Sequence, residues 1–248
     1  MNNICIAVCT CKNKIKSAIE YNNFIKDYTD NYFFYHGESE INNLKFKCLY
    51  TSDCYSKLTL KTYKMLAYSL NFNYDHLIKI DDDTFLNFTA LKSADFKNVS
   101  YGGNLSSLEN HLLNFEKYKN YLISQSYIKD ISFNYSKKLT KNFKYVQGNF
   151  CILSRDTIIK ILNAIKEDTL YKDIPQEDIS IGYICSKINV PPVDLNSKNL
   201  PYYHTTPFSI HPVKPILLKK LFKLSNINDI FNECRQNIYM NKYFTSGT

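Results

Sequence analysis

Short apolar segments alternate with stretches of helical periodicity through the first ninety residues, and this alternation constrains the fold more than any other feature of the chain. Buried strands are predicted at residues 4–8, 32–35, 46–50 and 76–80. Between them, apolar residues recur with the helical period over residues 15–25 and 58–70. The resulting order β-α-β-β-α-β is typical of a mostly parallel sheet with helices packed against it, so we predict an α/β protein.

The second half of the chain adds elements of the same two kinds. A strand is predicted at residues 150–153, a helix at 156–165, and another helix from Gln176 onward. Residues 105–145 are polar and poorly patterned, and we expect a helix near 108–122 with a mobile loop after it.

The domain organisation follows from what separates these elements. The sequence contains no internal repeat and no linker-like stretch, so residues 1–212 are predicted to form one domain, followed by a C-terminal helical tail at 213–248. Residues 215–224, PILLKKLFKL, are basic and amphipathic. Such a helix can either make weak peripheral contact with an anionic membrane or dock on the sheet with its lysines in solvent, and both remain open.

The charge balance limits the class of partner. The formal net charge of +8 fits acidic partners such as nucleotide diphosphates, nucleic acid or an anionic membrane. Acidic residues are spread between the lysines and no arginine-rich arm appears, so we expect no nucleic-acid partner.

Eight cysteines raise the question of disulfides or a metal cluster. The opening MNNICIAVCTCKNK has no apolar signal region and no run is long enough to span a bilayer, so a cytoplasmic location with reduced thiols is the default expectation. The gaps between Cys5, Cys9 and Cys11 do not match a zinc knuckle. We interpret these three cysteines as structural.

Three consecutive aspartates, Asp81, Asp82 and Asp83, follow directly after the strand HLIKI. Ligands of open α/β sheets bind at the carboxyl ends of strands. Adjacent carboxylates repel one another unless a cation is bound, and their hard oxygens suit Mn²⁺ or Mg²⁺. An acidic surface turn is the alternative, but Phe85 and Leu86 resume the apolar pattern at once.

Two further positions are candidates for chemistry. Asp178 lies at a predicted helix start, where a carboxylate is held rigidly and can act as a general base, although an acidic pair after Pro175 is also an ordinary helix signal. His204 offers a nitrogen ligand that favours Mn²⁺ over Mg²⁺, and His211 competes for that role.

Taken together and in order, several segments resemble the β-1,3-galactosyl- and N-acetylglucosaminyltransferase family. DCYSKLTLKT at 53–62 is similar to the D-S-Y-x-N-L-T-L-K-T segment of that family, and KIDDDTFLN at 79–87 to its K-x-D-D-D-x-F-V-N metal motif. The further similarities are GNFCILSR at 148–155 with the glycine-rich acceptor-side strand, QEDISIGYI at 176–184 with E/D-D-x-x-x-G-Y-I, and Tyr203-His204 with a late metal-binding histidine. IAVCT at 6–10 and FFYHGE at 33–38 look more like the Fringe branch, and Asn149 stands where a second glycine would be expected.

The resemblance implies a GT-A fold with a Rossmann-like nucleotide-binding half, a UDP-sugar donor, Mn²⁺, and inversion at the anomeric carbon of a hexose or N-acetylhexosamine. It implies a glycan or glycoprotein acceptor and a β-1,3 linkage. Asp83 and His204 would ligate the metal, with Mg²⁺ as the alternative ion, and Asp178 would be the base. The remaining site residues on this reading are Asp81 and Asp82 beside metal, ribose and sugar, and Thr10, Lys12 and Gly37 on the uridine side.

Two other classes of function stay open on the sequence. One is a catalytically weak relative that binds a glycan or nucleotide. The other is a different metal-dependent phosphate enzyme, such as a nucleotidyltransferase or nuclease, which three aspartates and a positive charge would also permit.

Overall fold

A computed structural model describes residues 3–38, 40–54, 57–114, 139 and 142–195, together with Leu221. For residues 204–206 and 209–211 it describes the course of the backbone. The predicted loop and much of the C-terminal tail lie outside these ranges.

In the described part of the chain, seven strands form one central sheet in the order β3-β2-β1-β4-β7-β6-β8. The strands are β1 (Ile4–Cys9), β2 (Tyr32–His36), β3 (Phe46–Cys48), β4 (His76–Asp81), β6 (Tyr101–Ser107), β7 (Lys144–Ser154) and β8 (Val193–Asp194). All pairs are parallel except those that β7 makes with β4 and β6. The predicted α/β class with a mostly parallel sheet is confirmed.

Helices cover both faces of this sheet. They are α1 (Ile15–Ile25), α2 (Leu58–Ser69), α3 (Phe88–Ser93), α4 (Arg155–Glu167) and α5 (Glu177–Lys187), with single 3₁₀ turns at Lys12–Lys14 and Leu170–Asp173. Residues 108–114 are also helical, which agrees with the start of the helix predicted near 108–122.

Alternation along the strands divides the core into two layers. Ile6 and Val8 of β1 face one layer together with Ala18 and Ile25 of α1, whereas Ala7 faces the layer beneath α2. Since each fully buried apolar side chain contributes about 1.5–3 kcal/mol, these layers fix the register of the central strands.

That register brings two loops together. Parallel β1 and β4 pair along their whole length and end with Cys9 opposite Asp81. The residues that follow, Thr10 and Asp82, therefore leave the sheet side by side.

A second, smaller sheet has the order β5-β10-β9, with β5 at Phe85–Leu86, β9 at His204–Thr206 and β10 at Ser209–His211. Strand β10 pairs with β5, which begins two residues after Asp83, and His204 is in register with His211. The backbone thus carries both histidine positions back to the chain segment that follows the three aspartates.

Two observations bear on membrane contact. In the ranges described here, no helix combines the length and the apolar character needed to cross a membrane. Leu221, in the amphipathic tail segment, is completely buried in the core layer of α1. At this position the tail packs into the core.

Candidate active site

Asp82 is fixed where β1 and β4 end. Its carboxylate accepts hydrogen bonds from Thr10 Oγ1 at 2.7 Å and from Lys14 Nζ at 3.0 Å. Its backbone amide donates to the carbonyl of Cys9 at 3.0 Å. Burial raises the pKa of Asp82, and the charge of Lys14 works against that rise. Thr10 and Asp82, predicted separately from two motifs, are in direct contact.

A second carboxylate, Asp53, joins the loops that follow β1 and β2. It accepts backbone hydrogen bonds from Lys12 at 2.8 Å and from Gly37 at 2.7 Å, and pairs with Lys61 Nζ at 3.0 Å. A Cβ at Gly37 would collide with Asp53 itself and with the carbonyl of Thr51, so only glycine fits there. Asp53 thus holds the predicted site residues Lys12 and Gly37 in one unit.

Lys61 completes this unit from α2. Its ammonium is buried and also donates to the carbonyl of Thr10 at 3.0 Å. Burial alone would raise the pKa of Asp53, but Lys61 and the amide donors outweigh it and lower that pKa. Asp53 and Lys61 were not predicted as site residues, although both lie in the segment 53–62 that carries the family resemblance.

Lys79 links the strand of the three aspartates to the helix of the proposed base. It is 1% exposed on β4, and its Nζ lies 3.0 Å from Glu177 Oε1, 2.5 Å from the carbonyl of Gly148 and 3.5 Å from Asp81 Oδ1. A Cβ at Gly148 would overlap the end of the Glu177 side chain, so this glycine leaves room for the ion pair in its present position.

Asp178 stands next to this ion pair in the first turn of α5. Its Oδ1 accepts from its neighbour's amide, Ile179 N, at 2.8 Å. Burial and the adjacent Glu177 charge raise the pKa of Asp178 to about 7, while Lys79 and the amides of Ile179 and Gly148 limit the rise. A carboxylate whose pKa lies near neutrality is matched to general base catalysis.

Two of the three aspartates offer the type of donor atom that a divalent cation takes. Asp81 and Asp83 are partly exposed and supply carboxylate oxygens, the ligand type that Mn²⁺ and Mg²⁺ take. Asp82 has both oxygens engaged by Thr10 and Lys14, which suits its predicted place beside the nucleotide better than metal ligation.

Metal ligation itself stays a prediction. Among the side chains that the structure describes, no group of three or more His, Cys, Asp or Glu residues is arranged to hold a metal ion. The side chains of His204 and His211 lie outside that set.

These contacts bring polar and charged side chains together at the carboxyl ends of parallel strands, the edge at which open α/β sheets bind their ligands. The chain belongs to the galactosyltransferase family, whose model matches residues 48–196. The match contains the Asp53–Lys61 pair, the three aspartates, Lys79 and Asp178. The protein is therefore a glycosyltransferase.

Comparison with known proteins adds the following. No curated protein matches the chain. Similar solved structures include the galactosyltransferase LgtC in complex with donor and acceptor sugar analogues, with a TM-score of 0.42 and 12% identity over 77% of this chain and 73% of that one. Another is a glycosyltransferase involved in glycosylation of the major capsid of PBCV-1, with a TM-score of 0.40 and 13% identity over 77% and 80%. Membership of the family rests on the sequence match.

Proposed function

We propose that the protein is a metal-dependent inverting glycosyltransferase that moves a hexose or N-acetylhexosamine from a UDP-sugar to an acceptor hydroxyl. The observation that carries the proposal is the buried contact of Lys79 with both Asp81 and Glu177. It links the carboxylate of Asp81 at the end of β4 to Glu177, the neighbour of the proposed base Asp178.

On the donor side, the Asp53–Lys61 unit would present Thr10, Lys12 and Gly37 to the uridine, with Asp81 and Asp82 toward the ribose and sugar. Asp83 and His204 would hold Mn²⁺, or Mg²⁺ in its place. When bound, such a cation stabilises the negative charge that develops on the leaving diphosphate.

On the acceptor side, Asp178 removes the proton from the attacking hydroxyl. As the hydroxyl oxygen bonds to the anomeric carbon, the bond from that carbon to the diphosphate oxygen breaks, and the proton ends on the Asp178 carboxylate. Attack from the face opposite UDP inverts the configuration and requires one base. The motifs at 79–87 and 176–184 favour a β-1,3 linkage to a glycan or glycoprotein, and those at 6–10 and 33–38 a Fringe-like enzyme.

The test is Asp178→Asn. This variant should bind UDP in the presence of Mn²⁺ as the wild type does, by isothermal titration calorimetry, while transfer from UDP-sugars falls by about 10²- to 10⁴-fold, the usual contribution of a general base. Asp156→Asn, on an exposed side chain of α4, is the matched control and should leave both unchanged.

If Asp178→Asn keeps the turnover of the wild type, Asp178 is not the general base. A wild-type protein that binds UDP-sugars but transfers none to any acceptor would identify a binding relative. Failure to bind UDP at all would favour a different phosphate chemistry.

A further inference from the structure

Strand β7 bulges beside the candidate active site. Gly103 of β6 pairs with Cys151, but Leu105 pairs with Val146, so one residue of β6 faces four residues of β7. Those four are residues 147–150. A bulge of this kind interrupts the ladder and re-aims side chains, and bulges are frequent next to active sites.

Asn149 lies in this bulge between the two halves of the site. Its carbonyl accepts a hydrogen bond at 3.1 Å from the Oγ1 of Thr84, the residue directly after the three aspartates. The preceding residue, Gly148, accepts a hydrogen bond from Lys79 through its carbonyl, and its amide lowers the pKa of Asp178. The pairing of β4 with β7 stops at Ile80 and Phe150, and one step further along this register Asn149 comes opposite Asp81.

The Asn149 side chain is buried without a full set of partners. Asn149 is 7% exposed, and its Oδ1 has no hydrogen-bond partner among the described residues. Buried polar atoms in folded proteins nearly always have a partner, so this oxygen is available to accept a hydrogen bond from a bound ligand or a water.

We propose that the Asn149 side-chain amide binds a hydroxyl group of the sugar that is transferred. The proposal rests on the proposed function. In that reaction the sugar passes from a diphosphate at the end of β4 to a hydroxyl at Asp178. Asn149 lies between these two places, because it is hydrogen-bonded to Thr84 after the aspartates and follows Gly148 beside Asp178. A side-chain amide can both donate to and accept from a sugar hydroxyl.

The experiment separates the sugar from the nucleotide. Isothermal titration calorimetry with Mn²⁺ measures the Kd of UDP and of UDP-galactose, UDP-glucose, UDP-N-acetylglucosamine and UDP-N-acetylgalactosamine. The wild type should bind at least one sugar nucleotide more tightly than UDP. Asn149→Ala should bind UDP within about twofold of the wild type and lose about 5- to 30-fold toward that sugar nucleotide, the worth of one buried hydrogen bond.

Two further variants serve as controls. Asn163→Ala, an exposed asparagine on α4, should change neither affinity. Asn149→Gly serves as a second truncation that suits a bulge, and retained UDP affinity shows that either truncated variant is folded.

Unchanged sugar-nucleotide affinity in both truncations would overturn the inference. So would an equal loss for UDP and the sugar nucleotide, since that pattern marks a packing role, or a wild type that prefers no sugar nucleotide over UDP. A wild type that binds no UDP would instead defeat the proposed function, so the two failures are distinguishable.

Discussion

Glu177 and Lys79 act on Asp178 with opposite signs. The negative charge of Glu177 adds to burial and raises the pKa of Asp178, whereas the ammonium of Lys79 lowers it. Because Lys79 and Glu177 are paired at 3.0 Å, neither charge acts alone. The proposed base is therefore tuned by a neighbouring ion pair and by the loss of water around it.

This arrangement predicts the pH dependence of transfer. A base must be deprotonated to act, so kcat/KM should rise with pH through the Asp178 pKa, near 7 in the wild type. Glu177→Gln removes a charge that raises this pKa, so the acidic limb of the pH–rate profile should move to lower pH. Glu167→Gln, an exposed glutamate at the end of α4, is the matched control and should leave the limb in place. A limb that stays fixed or moves to higher pH in Glu177→Gln would contradict this electrostatic account.

A single side chain can position several loops when it contacts more than one strand or helix. Asp53 follows β3 in the chain, yet it caps the backbone after β1 and β2 and pairs with Lys61 of α2. Removing one partner of a buried ion pair costs more than removing both, because the remaining charge is left uncompensated.

Asp53→Asn should therefore lower stability by about 3 kcal/mol, or roughly 5–15 °C in Tm, and weaken UDP binding, because the Thr10 and Gly37 loops lose their anchor. Adding Lys61→Met should recover part of the Tm without recovering UDP affinity. Thermal unfolding and calorimetry measure the two effects, and Asp27→Asn, an exposed carboxylate after α1, is the control. Equal recovery of stability and UDP binding would show that Asp53 stabilises the fold without organising the site.

Regular periodicity made most of the fold predictable. The strands β1, β2 and β4 lie where short apolar runs predicted them, and β3 lies where alternation did. The helices α1, α2, α4 and α5 also lie at their predicted places, within a few residues. Strand β6 was missed because YGGNLSS contains two glycines and is largely polar, and its neighbours β7 and β8 hold it in the sheet. Strand β7 was predicted too short, at residues 150–153, because its bulge breaks the alternation.

The candidate site was also predictable only in part. The places of Asp81, Asp82, Asp83 and Asp178 followed from local signals, a strand end and a helix start. The partners of Lys79 and Asp53 did not, because the contact with Glu177 spans 98 positions and the choice of a buried partner depends on tertiary packing.

The two core layers close over the central sheet from both sides, and the C-terminal tail contributes to one of them. Leu221 is completely buried with residues of α1 and α3, although 34 positions separate it from Lys187 at the end of α5. An amphipathic stretch that buries a leucine in this way stabilises the protein through its apolar side.

Leu221→Ala should lower stability by about 2–5 kcal/mol, the range for truncating a buried leucine, which is roughly 5–15 °C in Tm. Leu113→Ala removes the same atoms from a side chain that is 78% exposed and should leave the Tm nearly unchanged. Differential scanning calorimetry compares the two. Equal Tm values would mean that the tail does not stabilise the domain in solution.

Gly148 affects which substitutions can accumulate around it. A larger residue there meets the end of the Glu177 side chain, which would have to shift away from its place beside Lys79 and leave Asp81 as the nearest carboxylate. During divergence, a larger residue at position 148 should therefore be found together with a shorter side chain at position 177, which makes room for it.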